Sequence, residues 1–400
     1  MKTALPSWLP ETGADPEALI KEARRRQRRR HMAMGLALVV ILGGATGITV
    51  NLTAAGSHGP RGSPSPSPKV ENTPSSGAFA QSVLPPFFAD AVTRGEGNGP
   101  LQVRVSASGR LVAQERNGAG VSALAAAGTD SFLIALQVGD GCATRMYRVQ
   151  LGDRGRPGRL SPLGPELHGL VWSLAGSAGD RVISYAVSGC AKGDPGYIGV
   201  FDAGTQRSRQ WGGVNLGGVS PGNVAMNGAL SMSADGRLLA FTGWNMAGSG
   251  LDTSQVVRVL PTDAPAGNLA ERSRVVLTRP VSQPELAAVS LSPSGASIYL
   301  CTQTGTRTGR VTTIASYRTS TGELQQNLAG LRGTSGQMGC SMALDASGQF
   351  LLVPYSLGPA GRPVLKVAEI DIAARTVATL TIQLPGSAGM DSPTGMIAAW

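Results

Sequence analysis

The residues best able to do chemistry in this chain are few and far apart. Four cysteines, Cys142, Cys190, Cys301 and Cys340, stand singly, with no CxxC pair among them. Single cysteines offer a nucleophile, a metal ligand or half of a disulfide. The three histidines are His31, His58 and, alone in the last three hundred or so residues, His168 in "PELHGL". Any Ser-His-Asp or Cys-His nucleophile would have to use His168. No motif surrounds it, so an ordinary surface histidine is expected. "GDGCATR" and "GDPGY" combine Asp with Gly but lack the acidic ladder of a calcium loop. The Gly-rich "GGVNLGGVSPGN" at 212–223 precedes a strand pattern instead of opening a helix, which makes it a connection and not a phosphate cradle. No catalytic residue, metal site or cofactor is expected.

The elements that position these residues begin with an address. "KEARRRQRRRH" at 21–31 runs straight into "MAMGLALVVILGGATGITV" at 32–50, which holds no charge. As a helix those residues span about 28 Å at ~1.5 Å per residue, enough for the hydrocarbon core of a bilayer. The arginines stay in the cytoplasm by the positive-inside rule, so the rest of the chain lies outside. An uncleaved signal anchor is expected, with cleavage after "TAA" at 53–55 as the alternative. "LPETG" at 9–13 matches a sortase signal, but it lies before the apolar segment, on the cytoplasmic side. It is a chance match; Asp15, Pro16 and Glu17 suit a helix start there. Expected boundaries are a basic tail at 1–31, a transmembrane helix at 32–54, a Pro/Ser/Gly-rich linker at 55–82 and an ectodomain at 83–400. The linker "GPRGSPSPSPKVENTPSSG" has no apolar period and reads as an extended stalk reaching about 80 Å.

The formal charge of +10 divides into +4 on residues 1–31 (eight basic, four acidic) and +6 on the remainder, without runs. A scattered excess of that kind is not a nucleic-acid footprint. High Gly, Pro and Arg with few aromatics suit a GC-rich bacterial genome. An even cysteine count beyond an export signal suggests two disulfides.

From residue 83 one pattern recurs: strand, tight turn, strand. It appears in "LSMSADGRLLAFTG", "VSLSPSGASIYLCT" and "CSMALDASGQFLLVPY", and more weakly in "VWSLAGSAGDRVISYAV" and "VSALAAAGTDSFLIALQ". The turn glycines Gly128, Gly179, Gly236, Gly295 and Gly348 lie 51, 57, 59 and 53 residues apart, the mark of an array. A second strand pair follows each copy, so each unit holds four strands. Such units in series build a β-propeller. "FFADAV", "LQVRV" and "RLVAQE" supply three strands of one further blade, and the terminal "GMIAAW" supplies its innermost strand. The expected fold is an all-β, six-bladed propeller, with seven blades as the alternative.

"SADGRLLAF" resembles the "SPDGKxIAF" signature of TolB-type and WD40-like propeller repeats. The layout of basic tail, single span, Pro/Ser stalk and propeller ending in "AW" resembles the WD40-like membrane proteins common in actinomycetes. The copies lack the Gly-His start and Trp-Asp end of true WD40 repeats. The resemblance implies a fold and says almost nothing of activity.

On a propeller, Cys142 and Cys190 follow the second strands of neighbouring units, so their loops share a face, and a bond between them is expected. Cys301 ends a second strand and Cys340 begins the next unit, which suggests the other pair; other pairings, free thiols or a merely buried Cys301 are the alternatives. Trp244 and Asn245 in "GWNMAGSGLDTSQ" are the candidate ligand contacts, unless Trp244 packs between blades. The expected role is a non-catalytic interaction module for an unidentified envelope protein, peptide or glycan, held to the membrane and not binding nucleic acid. An envelope hydrolase or lyase using the channel, and a regulator signalling through its tail, are the alternatives.

Overall fold

The computed structural model describes residues 86–399 except 94–100, 107, 109, 115–119, 129–130, 140–141, 153, 191–193, 216–223, 227, 247–252, 307–308, 334–339, 346, 358–363 and 383–394. The tail, apolar segment and linker expected at 1–31, 32–54 and 55–82 lie outside the described residues. Among the described residues no helix is long and apolar enough to cross a membrane.

The strands form six blades, not seven. In blade 1 the order from the centre outward is Gly395–Ala399, Phe87–Thr93, Gln102–Val105 and Leu111–Gln114. Blade 2 runs Val121–Ala126, Ser131–Val138, Ala143–Gln150 and Ser161–His168. Blade 3 runs Leu170–Gly176, Val182–Ser188, Gly196–Asp202 and Arg207–Asn215. Blade 4 has a short inner strand, Ser231–Met232, then Leu238–Met246, Thr253–Pro261 and Arg274–Pro280. Blade 5 holds Glu285–Leu291, Ser297–Thr306, Gly309–Arg318 and Leu324–Gly333. Blade 6 holds Ala343–Leu344, Phe350–Leu357, Val364–Asp371 and Val377–Ile382. Neighbours within a blade are antiparallel, as at Phe132↔Val149 and Leu300↔Ala315. Blades 3 and 4 are joined into one continuous sheet, because Val224–Met226 pairs with both Arg207–Asn215 and Leu238–Met246. The Gly-rich stretch therefore does not simply connect blades: Gly212 to Asn215 extend the outer strand of blade 3. One four-residue helix, Leu269–Arg272, sits in blade 4; Asn268 caps it by accepting a hydrogen bond from the Ala270 N–H.

The core is divided between blade junctions, and the period of two in each second strand does the dividing. In Ser131–Val138, Phe132, Ile134 and Leu136 pack toward blade 1 with Ala89, Ala91 and Val103. Leu133 and Ala135 pack toward blade 3 with Val171, Ile183 and Tyr185. In Ser297–Thr306, Ile298 and Leu300 meet blade 4, while Tyr299 and Cys301 meet Leu351 and Val353 of blade 6. Both faces of each such strand are covered, which is why these segments read as apolar runs.

The turn between inner and second strands repeats in four blades. A Ser or Asp side chain accepts the backbone N–H five residues on: Val182 N to Ser177 Oγ at 2.9 Å, Leu238 N to Ser233 Oγ at 3.0 Å, Ser297 N to Ser292 Oγ at 3.0 Å, Phe350 N to Asp345 Oδ1 at 2.8 Å. The turn glycines Gly179, Gly236, Gly295 and Gly348 lie at φ 72°, 72°, 71° and 74°. That left-handed region disfavours any residue with a Cβ. Two of them also have no room: a Cβ on Gly236 would lie 2.9 Å from Val182 Cβ, and one on Gly348 2.5 Å from Pro293 Cγ, both on the preceding blade. The turns themselves are linked around the ring, Ala178 N to Ala234 O and Ala234 N to Pro293 O, each at 2.9 Å.

Two outcomes are expected. Removing residues 395–400 strips the inner strand from Phe87–Thr93, leaves an unpaired edge in blade 1, and abolishes the cooperative thermal transition seen by circular dichroism. Gly348→Ala lowers stability by about 1–3 kcal/mol in denaturant unfolding, from backbone strain plus the Pro293 clash. Gly330→Ala, where a Cβ meets nothing within 4 Å, serves as the neutral control.

Candidate functional site

Each blade places its loops on two faces of the ring. The turn face carries the inner-to-second and third-to-outer turns. The loop face carries the second-to-third-strand loops and the crossings between blades. Cys142, His168, Cys190, Trp244 and Asn245 all belong to the loop face.

The structure gathers three of them where blades 2 and 3 meet. His168 ends the outer strand of blade 2 directly across from Ala143, the residue after Cys142. The chain then crosses to blade 3 through Gly169, whose N–H donates to Cys142 O at 2.9 Å. Gly169 has φ +118°, and a Cβ there would lie 2.4 Å from Ser188 O. Only glycine permits that approach, and Ser188 leads directly to Cys190. The buried Thr144 locks the crossing: its hydroxyl donates to Gly169 O at 2.7 Å and accepts from Val171 N at 3.2 Å. Cys142 and Cys190 thereby stand at disulfide distance, 5.6 Å between Cα atoms. His168 Nε2 lies 3.7 Å from Cys190 Sγ. The two sulfurs and an imidazole nitrogen fall within 4.8 Å of one another. As a donor set, two thiolates and an imidazole suit a soft or borderline ion, but only with the sulfurs unpaired from each other. Arg145 and Glu166 form an exposed ion pair on the same two strands at 2.7 Å.

Cys301 and Cys340 are the second pair, with Cα atoms 6.4 Å apart. Cys301 is fully buried in the middle of its strand and Cys340 nearly so, both inside the cluster between blades 5 and 6. The expected pairing of the four cysteines matches these distances. His168 is the exposed surface histidine expected, and it lies beside the two cysteines. No spacing rule finds a trio at 142, 168 and 190; a His-Gly at a blade crossing beside two loop cysteines was the available signal.

Trp244 is half-buried and Asn245 exposed, at the loop end of the second strand of blade 4. Trp244 pairs in the sheet with Ala225 and Gln255. Its neighbour loop at 247–252 lies outside the described residues. Asp235 is a turn residue: it accepts from Ser233 Oγ at 2.6 Å and Arg237 N at 3.0 Å, which hold its carboxyl below the usual range.

On the turn face a groove of about 410 Å³ lies between blades 4 and 5, lined by Arg274, Arg318, Thr319 and Ser297. Both guanidinium groups are already engaged. Arg274 donates to the Thr319 and Ser320 carbonyls at 2.9 and 3.1 Å, and Arg318 pairs with Glu323 at 3.0 Å. The groove therefore offers mainly hydroxyls.

No protein-family model matches the chain. A search of curated proteins gives no match. Among solved structures, the chain is similar to TolB from Acinetobacter baumannii, at 13% identity and TM-score 0.48 over 78% of this chain and 66% of that one. It spans just under two thirds of that protein. It is also similar to the hydrazine synthase of Kuenenia stuttgartiensis (15%, TM-score 0.38, 69% and 72% covered). Prolyl oligopeptidase B from Galerina marginata matches at 11%, TM-score 0.40, with 65% of this chain and 37% of that one covered. The strand order itself defines the class: a closed six-bladed β-propeller.

One buried acid binds blade 2 to blade 3. Asp180 Oδ2 faces Arg148 Nε at 3.0 Å. Burial pushes the Asp180 carboxyl from 3.8 up to about 6, against the opposing pull of Arg148. The folded state thus holds this proton more tightly than the unfolded chain. Its contribution to stability is full below about 4 and is lost as pH rises through about 6. The melting temperature of the wild type minus that of Asp180→Asn is expected to be most favourable near pH 4 and to fall between pH 4 and 6; a flat difference would remove the assignment.

Proposed function

We propose that this chain is a single-span membrane protein whose propeller stands outside the cytoplasmic membrane as a non-catalytic docking module for an envelope protein, peptide or glycan. The address rests on the arginine cluster, the uncharged apolar stretch and the Pro/Ser/Gly linker that precede the propeller. The observation that carries the docking reading is the loop face. There the loops of blades 2 and 3 are held to one another at Cys142 and Cys190, with Asn245 exposed and Trp244 half-buried at the same edge of blade 4. Loops fixed to each other lose little entropy on binding, which is what a recognition surface needs.

The test is crosslinking in native membranes with a tagged full-length protein, followed by mass spectrometry. A partner is expected that disappears when residues 83–400 are removed and weakens when Trp244 and Asn245 are both changed to Ala. Partners that persist without the propeller would overturn the reading.

A further inference from the structure

The two cysteine pairs differ in what surrounds them. Cys301 and Cys340 lie in an apolar junction, Cys301 fully buried and Cys340 nearly so. Cys142 is half-buried and Cys190 exposed, beside an exposed imidazole. A disulfide opens when a thiolate reaches one sulfur and the other departs as a thiolate, so access and stabilisation of the leaving group set its rate. A buried pair has neither; the pair on the loop face has both.

We propose that Cys142–Cys190 is an exchange-competent disulfide that takes thiols as its substrate class, with Cys190 as the sulfur attacked and His168 as the proton donor. The incoming thiolate bonds to Cys190 Sγ while the Cys142–Cys190 bond breaks, and its electron pair leaves with Cys142 Sγ. The imidazolium of His168, within 4.8 Å of both sulfurs, supplies the proton that neutralises the departing thiolate. The product with a monothiol is a mixed disulfide on Cys190. With a dithiol, its second thiolate attacks its own sulfur in that mixed disulfide and releases Cys190; the dithiol is oxidised and the pair gains two electrons and two protons. The geometry favours Cys190 as the entry point because Cys142 lies beneath the crossing, where its carbonyl is tied to Gly169 N. Opening the pair frees two loops of the loop face from each other, so a thiol-bearing partner would both bond to this face and loosen it. This chemistry stands apart from the docking reading, since it is measured on the chain alone.

The full-length protein is incubated with dithiothreitol, quenched by alkylation at intervals and mapped by mass spectrometry. Cys142 and Cys190 are expected to be alkylated at a rate on the order of tenfold above that of Cys301 and Cys340. With limiting cysteamine, the trapped adduct is expected on Cys190. His168→Ala is expected to slow opening, and added free imidazole to restore part of the rate in the variant while leaving the wild type unchanged. His168→Gln, with its thermal transition recorded, checks that the slowing is not misfolding. Equal rates for the two pairs would overturn the proposal without any variant. An adduct on Cys142 would overturn the assignment of the entry sulfur. Slowing without rescue by imidazole would make His168 a structural neighbour and overturn its role as donor.

Discussion

Each blade of this protein buries both of its faces, and nearly everything else depends on that. A strand such as Ser131–Val138 sends Phe132, Ile134 and Leu136 one way and Leu133 and Ala135 the other. Neither set can be covered within its own sheet, so every blade requires two neighbours. A row of such blades has two bare ends, and only a ring removes them. The terminal strand Gly395–Ala399 pairs with Phe87–Thr93 through five register positions, from Ala89↔Ala399 to Thr93↔Gly395. Closure is therefore made by hydrogen bonds between segments about three hundred residues apart, and loop-closure entropy is met late in folding.

The division of labour between the two faces of the ring follows from the turns. On the turn face, backbone groups are committed: Ser or Asp side chains close the hairpins, glycines sit against the preceding blade, and turn-to-turn bonds run from Ala178 to Ala234 to Pro293. That leaves little freedom for a site, and the Arg274–Arg318 groove is occupied by its own internal contacts. The candidate groups Cys142, His168 and Cys190 lie instead on the loop face, where loops on a rigid scaffold can vary at little cost to the core.

Some features were legible from residue types alone. The repeated "SADG"-like turns announced glycine at positive φ, and Gly179, Gly236, Gly295 and Gly348 all have it. The incomplete first blade and the leftover terminal strand announced closure. The cysteine pairing was legible too, because blade order decides which loops are neighbours. Other features were not. The buried Asp90–Arg104 ion pair, at 2.8 Å, lies in a strand pair that reads only as short and mixed. Asp180 sits where a turn residue is expected, yet it is buried against Arg148 of another blade. His168 is marked only by the Gly169 that follows it, and that pair alone does not show that two cysteines lie beside it.

The sequence by itself determined the class of fold, the order of the blades and which strand closes the ring, because period-two apolar runs and turn glycines act locally; the structure decided six blades over seven. The tertiary structure alone decided the chemistry. Cys142, His168 and Cys190 meet only because Gly169 lets blade 2 pass into blade 3 against Ser188, and it is burial in the folded chain that pushes the Asp180 carboxyl up to about 6. Reactivity depends on distance and solvent, and a linear pattern records neither.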